Sequence, residues 1–167
     1  MRCLLLQCIL SQNRMGHENP TEKGKIMMAC AEKFGAGAVR NLLRHNRREI
    51  EHSSNHDIDP ERLEQDYILS PDRGMTEYDY FLQRKAELYC YNRKDVNVMV
   101  GWIVTAPQDL TPERYDDFFY ATYDFLANRY GEENVVQAIV HDDEGGQPHL
   151  HFCFIPVEED LKPRARL

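Results

Sequence analysis

Three imidazoles, three carboxylates and two glycines fall within eleven residues at His141-Asp142-Asp143-Glu144-Gly145-Gly146-Gln147-Pro148-His149-Leu150-His151. Side chains alternate along a strand, so His149 and His151 share one face while Leu150 and Phe152 enter the other. A tight connection brings His141 beside that pair. Three neutral imidazoles from two neighbouring strands give a divalent metal three ligands and leave positions open. That is the layout of a catalytic centre rather than of a closed structural one. Asp143 and Glu144 can orient a ring or add an oxygen ligand. A His-x-His pair alone is commonly surface decoration. The third histidine and the acidic connection are what a stable core does not require.

A second cluster lies at Arg40–Arg48 (RNLLRHNRR). Arg40, Arg44, Arg47 and Arg48 put a positive patch on one segment, and the planar guanidinium suits phosphate oxygens. On an ordinary solvated face such a run needs no function. His45 among the arginines is more informative, because neighbouring positive charge disfavours its protonated form and keeps the imidazole nucleophilic.

The elements that must position these groups are legible in outline. Lys25–Lys33 reads as an edge or entry strand ending at Gly35-Ala36-Gly37. Val39, Leu42, Leu43 and Ile50 then recur at helical spacing, with Asn41, His45, Arg48 and His52 on the opposite face. Ser53–Asp59 and Pro60 form a polar loop. Met75–Tyr91 has helical periodicity, and Asp95–Thr105 is a β-branched run that reads as a buried strand. Thr111-Pro112 opens another helix and Gly131 closes it. Asn134–His141 and His149–Val157 are the two strands around the histidine connection. Strands at both ends with long helices between predict an α+β fold, an antiparallel sheet covered by helices.

The chain has 167 residues, with 20 Lys+Arg against 28 Asp+Glu and a formal net charge of −8. This length allows one domain with a short appendage. No apolar run reaches the ~20 residues that cross a bilayer. Cys3, Cys8, Cys30, Cys90 and Cys153 form no CxxC pair, which argues for a reducing cytoplasm and against a disulfide framework. Met1–Leu10 begins like a signal peptide without a cleavage site, so residues 1–24 read as a poorly structured extension and 25–167 as the domain. The acidic balance weighs against nucleic acid, yet binding follows local potential. The acidic runs Glu61–Asp66, Asp116–Asp124 and Glu158–Asp160 are expected to keep away from Arg40–Arg48.

His-x-Asp-Glu followed by Pro-His-x-His resembles the metal motif of MobV-type mobilisation relaxases, the plasmid recombination (Pre/Mob) enzymes. Arg44-His45-Asn46-Arg47-Arg48 resembles their His-Asn-x-Arg nucleophile motif, and His52–Arg62 with Tyr67 is similar to the stretch that follows it. Trp102 and Tyr130-Gly131 fit the same order. The resemblance implies an HUH-type relaxase that nicks one DNA strand at an origin of transfer and rejoins it through a covalent 5′-phosphohistidine. It implies His45 as nucleophile, with Arg48 and Glu144 as catalytic partners. It implies His141, His149 and His151 as ligands of Mn²⁺ or Mg²⁺. Arg40, Arg44, Arg47, Arg62 and Tyr67 are assigned to single-stranded origin DNA, with Arg48 holding a phosphate oxygen one helical turn from His45. It further implies a bacterial cytoplasmic protein truncated at its C terminus, with dimerisation through sequence beyond Leu167. The chain departs from the pattern at Asp66, where asparagine is usual. It also has three residues, not two, between Glu144 and Pro148. The competing readings are an origin-binding remnant without cutting activity, an HUH replication initiator and a small-molecule metal hydrolase. An initiator places its tyrosine after the metal histidines, whereas the last tyrosine here is Tyr130.

Overall fold

The computed structural model describes residues 29–50, 58–91, 93 and 95–158. The expected N-terminal extension, the start of the first strand, His52 and most of the loop after it lie outside the described residues. Five strands form one antiparallel sheet: β1 (Ala29–Gly35), β2 (Tyr67–Ile68), β3 (Asn97–Thr105), β4 (Val135–His141) and β5 (His149–Phe154). Their order is β1-β3-β5-β4-β2, so the His-x-His strand sits at the centre with the His141 strand beside it. Among the described residues the α-helices are α1 (Ala36–Asn46), α2 (Glu77–Glu87) and α3 (Tyr115–Tyr130). The fold is α+β, as the element pattern predicts.

The helices divide between the two faces of the sheet. Phe119, Tyr123, Leu126 and Ala127 of α3 pack with Val100, Val104, Ala138, Val140, Leu150, Phe152 and Phe154. Val39 and Leu43 of α1 and Phe81 of α2 pack with Val98, Met99, Val136, Cys153 and Ile155 on the other side. Burying these side chains contributes roughly 1.5–3 kcal/mol for each large one. It fixes both helices of the second layer against the strands that carry the histidines.

A bulge decides which way His141 faces. Val135 pairs with Phe154 and Gln137 with Cys153, leaving Val136 as an extra residue. Relative to Val135, which packs against α3, the bulge turns Gln137, Ile139 and His141 onto the α1 side. They are opposite Cys153, His151 and His149. Without the extra residue, His141 would enter the α3 layer and the three rings could not meet.

Two boundaries differ from the sequence reading. The first helix ends at Asn46 rather than running on through Ile50, so Arg48 does not lie on its face. β2, a two-residue edge strand paired with β4, forms between Pro60 and Met75, a stretch to which the sequence pattern assigns no element. Two paired residues carry too little periodicity to register in a pattern. Thr76 caps α2 by accepting a hydrogen bond from the Asp79 N–H at 3.1 Å. At the end of α3, Gly131 takes φ +86°, where an added Cβ would meet Asn134 and Glu133 atoms at 2.8 Å.

Candidate active site

His141 and His149 are a directly paired cross-strand couple at the open ends of β4 and β5, and His151 follows on the same face. The ring centroids lie 5.4 Å (His141–His149), 4.6 Å (His141–His151) and 5.0 Å (His149–His151) apart. One nitrogen from each ring falls within 4.8 Å of the others. The extra residue of the connection does not drive the rings apart. Gly146 takes φ +124°, a conformation open to glycine and strained for other residues.

Burial, reinforced by Arg48 and His149, pushes the His141 pKa down to about 4. Burial and the neighbouring imidazoles push His151 down to about 2. At neutral pH both rings therefore present a lone pair instead of a second N–H. His141 Nε2 donates to the Asn46 carbonyl at 2.8 Å, so its Nδ1 carries the lone pair. Arg48 Nη2 approaches that atom at 3.1 Å, and also lies 2.5 Å from Asp143 Oδ1 and 2.7 Å from Glu144 Oε1. Two N–H bonds face three acceptors there. The longest contact, to His141, is the weakest to hold against a cation. The donor set fits a divalent ion held by His141, His149 and His151.

Arg48 reaches this position through an unusual backbone. Past the end of α1, Arg48 N–H bonds the His45 carbonyl at 3.0 Å and Glu49 N–H the Arg44 carbonyl at 2.9 Å. This is the Schellman pattern, in which the residue after the cap is left-handed and usually glycine. Here it is Arg48, with φ +59°. Its guanidinium is largely enclosed and grips Asp143 with two hydrogen bonds, Nε to Oδ2 at 2.8 Å and Nη2 to Oδ1. The side-chain contacts offset a strained backbone that a charged, unbranched residue would otherwise avoid. The expectation that Arg48 lies on the helix, one turn from His45, is thereby corrected: it stands beyond the helix end and binds Asp143 and Glu144.

The acidic residues also depart from expectation. Asp66 Oδ2 lies 3.8 Å from Arg48 Nε and 4.0 Å from His141 Nε2, and Asp66 Oδ1 accepts the Asp142 N–H at 2.8 Å. The acidic run ending at Asp66 thus reaches the arginine cluster. Burial raises the Asp66 carboxyl to about 6. Glu144 Oε2 is 3.9 Å from His149 Nε2, completing an acidic rim.

His45 is half-buried in the last turn of α1 and close enough to His151 to influence its protonation. Arg40, Arg44 and Arg47 are exposed on the same helix. Arg40 stacks over Tyr78 at 4.3 Å, Arg44 bonds the Glu49 carbonyl at 3.2 Å, and Arg47 pairs with Glu77. Arg62 bonds Asp142 at 2.7 Å beside the connection. Tyr67 packs half-buried against the α3-side core, where burial and Asp116 push its phenol above the usual range. Arg48 and Arg62 are therefore brought to the histidine connection, whereas Arg40, Arg44 and Arg47 meet Tyr78, Glu49 and Glu77 instead, and Tyr67 packs inward. Asn46 and Gln137, both buried, join the site from positions that the histidine spacing did not single out. Asn46 stands in the His-Asn-x-Arg motif, and the signal for Gln137 is a glutamine interrupting an otherwise apolar strand.

Comparison with known proteins decides the family. The model for plasmid recombination enzymes matches residues 23–166. The chain belongs to the plasmid recombination enzyme family. It is 35% identical over 147 residues to the type 1 plasmid recombination enzyme of Staphylococcus aureus, covering 84% of this chain and 36% of that protein. The Streptococcus agalactiae enzyme is 33% identical over 141 residues, covering 79% and 28% respectively. The chain thus spans about a third of the length of these curated relatives. Among solved structures, a Mn-bound MobM relaxase domain (MOBV; Mob_Pre) in complex with plasmid pMV158 oriT DNA superposes with a TM-score of 0.64. It is 34% identical, with 79% of this chain and 71% of that chain covered. That likeness supports the relaxase fold inferred from the sheet and its histidines.

Two outcomes follow from the geometry. Arg48→Gly and Arg48→Ala both remove the guanidinium, but only glycine relieves the left-handed backbone, so Arg48→Gly should be more stable by about 1 kcal/mol in urea denaturation. Equal midpoints would mean that residue 48 is not left-handed. For Asp66, the carboxyl is raised in the folded chain, so its protonated form is the favoured one. The resulting stabilisation is full below about pH 4 and is lost as pH rises towards 6. With chelator present, Asp66→Asn should therefore match the parent near pH 4 and exceed it by on the order of 2 kcal/mol at pH 7. A gain that is constant with pH would contradict the burial argument.

Proposed function

We propose that this chain is the origin-nicking and rejoining domain of a mobilisation relaxase, acting on single-stranded origin DNA with Mn²⁺ or Mg²⁺. The observation that carries the reading is the convergence of three imidazoles against the helix turn that bears His45. The relatives' names and the Mn- and oriT-bound MobM domain support it. His141, His149 and His151 hold the metal. When bound, the ion withdraws charge from the scissile phosphate and stabilises the departing 3′ oxygen.

The chain's own groups do the rest. His45 attacks phosphorus in line: an N–P bond forms and the P–O3′ bond breaks. The proton lost by the imidazole balances the one gained by the 3′ oxygen. The 5′ phosphate stays on the ring, and attack by a 3′ hydroxyl reverses the step. Glu144 and Asp143 keep the rim negative around the cation, and Arg48 positions both. Arg40, Arg44 and Arg47 offer exposed charge to the DNA backbone, exchanging their internal partners for phosphates. Arg62 and Tyr67 serve the framework of the connection and core.

The net charge of −8 favours one second reading, an origin-binding module without cutting activity. The same assay separates the two. With Mn²⁺ and a pMV158 oriT oligonucleotide, a detergent-stable DNA adduct should form and disappear with EDTA. His45→Ala should abolish the adduct with metal content intact. His149→Ala or His151→Ala should weaken metal binding by more than about tenfold. Binding without an adduct would favour the module, and an adduct persisting in His45→Ala would move the nucleophile to a tyrosine.

A further inference from the structure

We propose that Gln137, a buried residue of β4 outside the histidine and arginine motifs, is a positioning residue for His45, acting through Asn46. The proposal rests on His45 being the nucleophile. Gln137 is fully buried between apolar neighbours, where an amide is costly unless hydrogen-bonded. Both ends of its amide are spent on α1. Nε2 donates to the Leu43 carbonyl at 3.1 Å, and Oε1 accepts from Asn46 Nδ2 at 2.9 Å. Asn46 Nδ2 also reaches Cys153 Sγ at 3.7 Å, and the Asn46 carbonyl accepts from His141 Nε2. The last turn of α1 is therefore tied to β4 and β5 on both sides of His45, at residue 43 and at residue 46.

These ties cross directly from the nucleophile's helix to the strands that hold the ligand histidines. They depend on the bulge at Val136, which turns Gln137 and His141 to the same face. Stability alone does not call for the arrangement. Asn46 Oδ1 is buried with no hydrogen-bond partner among the described residues, and an apolar pair of similar shape would avoid that cost. What the amide pair supplies, and an apolar pair cannot, is a fixed direction for the turn. In-line attack is sensitive to such direction, since displacement of a reacting group by about 1 Å can cost a hundredfold in rate.

The test removes both partners at once, as Asn46→Leu with Gln137→Met, so that no polar atom of the pair is orphaned. Three quantities are read: thermal midpoint, Mn²⁺ affinity, and the His45 ring signal in ¹H–¹³C NMR. Adduct formation is then followed on the oriT oligonucleotide. The midpoint should be retained and Mn²⁺ affinity should stay within about threefold. The His45 signal should broaden or split, and kcat should fall by about tenfold or more with KM little changed. A folded variant with an unchanged His45 signal, or with the parent's kcat, overturns the proposal. Should the double variant not fold, Gln137→Met alone is judged by the same two criteria. If the parent itself forms no adduct, the relaxase reading fails, and the His45 signal alone then decides whether Gln137 positions that ring.

Discussion

Burial of imidazoles at contact distance from one another sets the terms for the whole site. Two protonated rings with centroids 4.6 Å apart and little solvent would repel strongly, so the folded chain holds His141 and His151 neutral over the physiological range. Neutrality turns each into a lone-pair donor. The Asn46 carbonyl then selects the tautomer of His141, which makes the end of α1 part of the ligand arrangement rather than a neighbour of it. Chemistry at the strands and placement of the helix are one constraint seen from two sides.

Charge around the rings follows the same logic. Asp143 is fully buried, and Glu144 and Asp66 are close by, while Arg48 is the cation in direct contact with all three. Among the described residues, Arg48 sets one guanidinium against three carboxyl groups, a surrounding that repels a bare phosphate but suits a divalent cation placed between the two. The chain's global negative charge is therefore less of an obstacle to nucleic acid than it looks. Part of it is gathered where a metal would neutralise it, and Arg40, Arg44 and Arg47 remain exposed on α1.

The sequence carried the histidine arrangement clearly because alternation along strands is a hard rule. His149 and His151 must share a face, and a short connection must return His141 beside them. The sheet, the three helices and the α+β class followed from periodicity. Other features rest on interactions with no local signature. The left-handed Arg48 occupies a position where glycine is the usual signal, so the helix seemed to continue. The bulge at Val136 is invisible in a run of apolar residues, yet it determines the direction of Gln137 and His141. The pairing of Arg47 with Glu77 and of Arg48 with Asp143 depends on contacts 30 and 95 residues apart in sequence. A positive run read from the sequence alone therefore overstated the charge free to meet a ligand.

Anomalous scattering from crystals grown with manganese probes the centre of this account most directly. One strong peak is expected at bonding distance from a single nitrogen of each of His141, His149 and His151, with the His45 ring on the open side. A peak elsewhere, or at the three rings with His45 turned away behind α1, would contradict it.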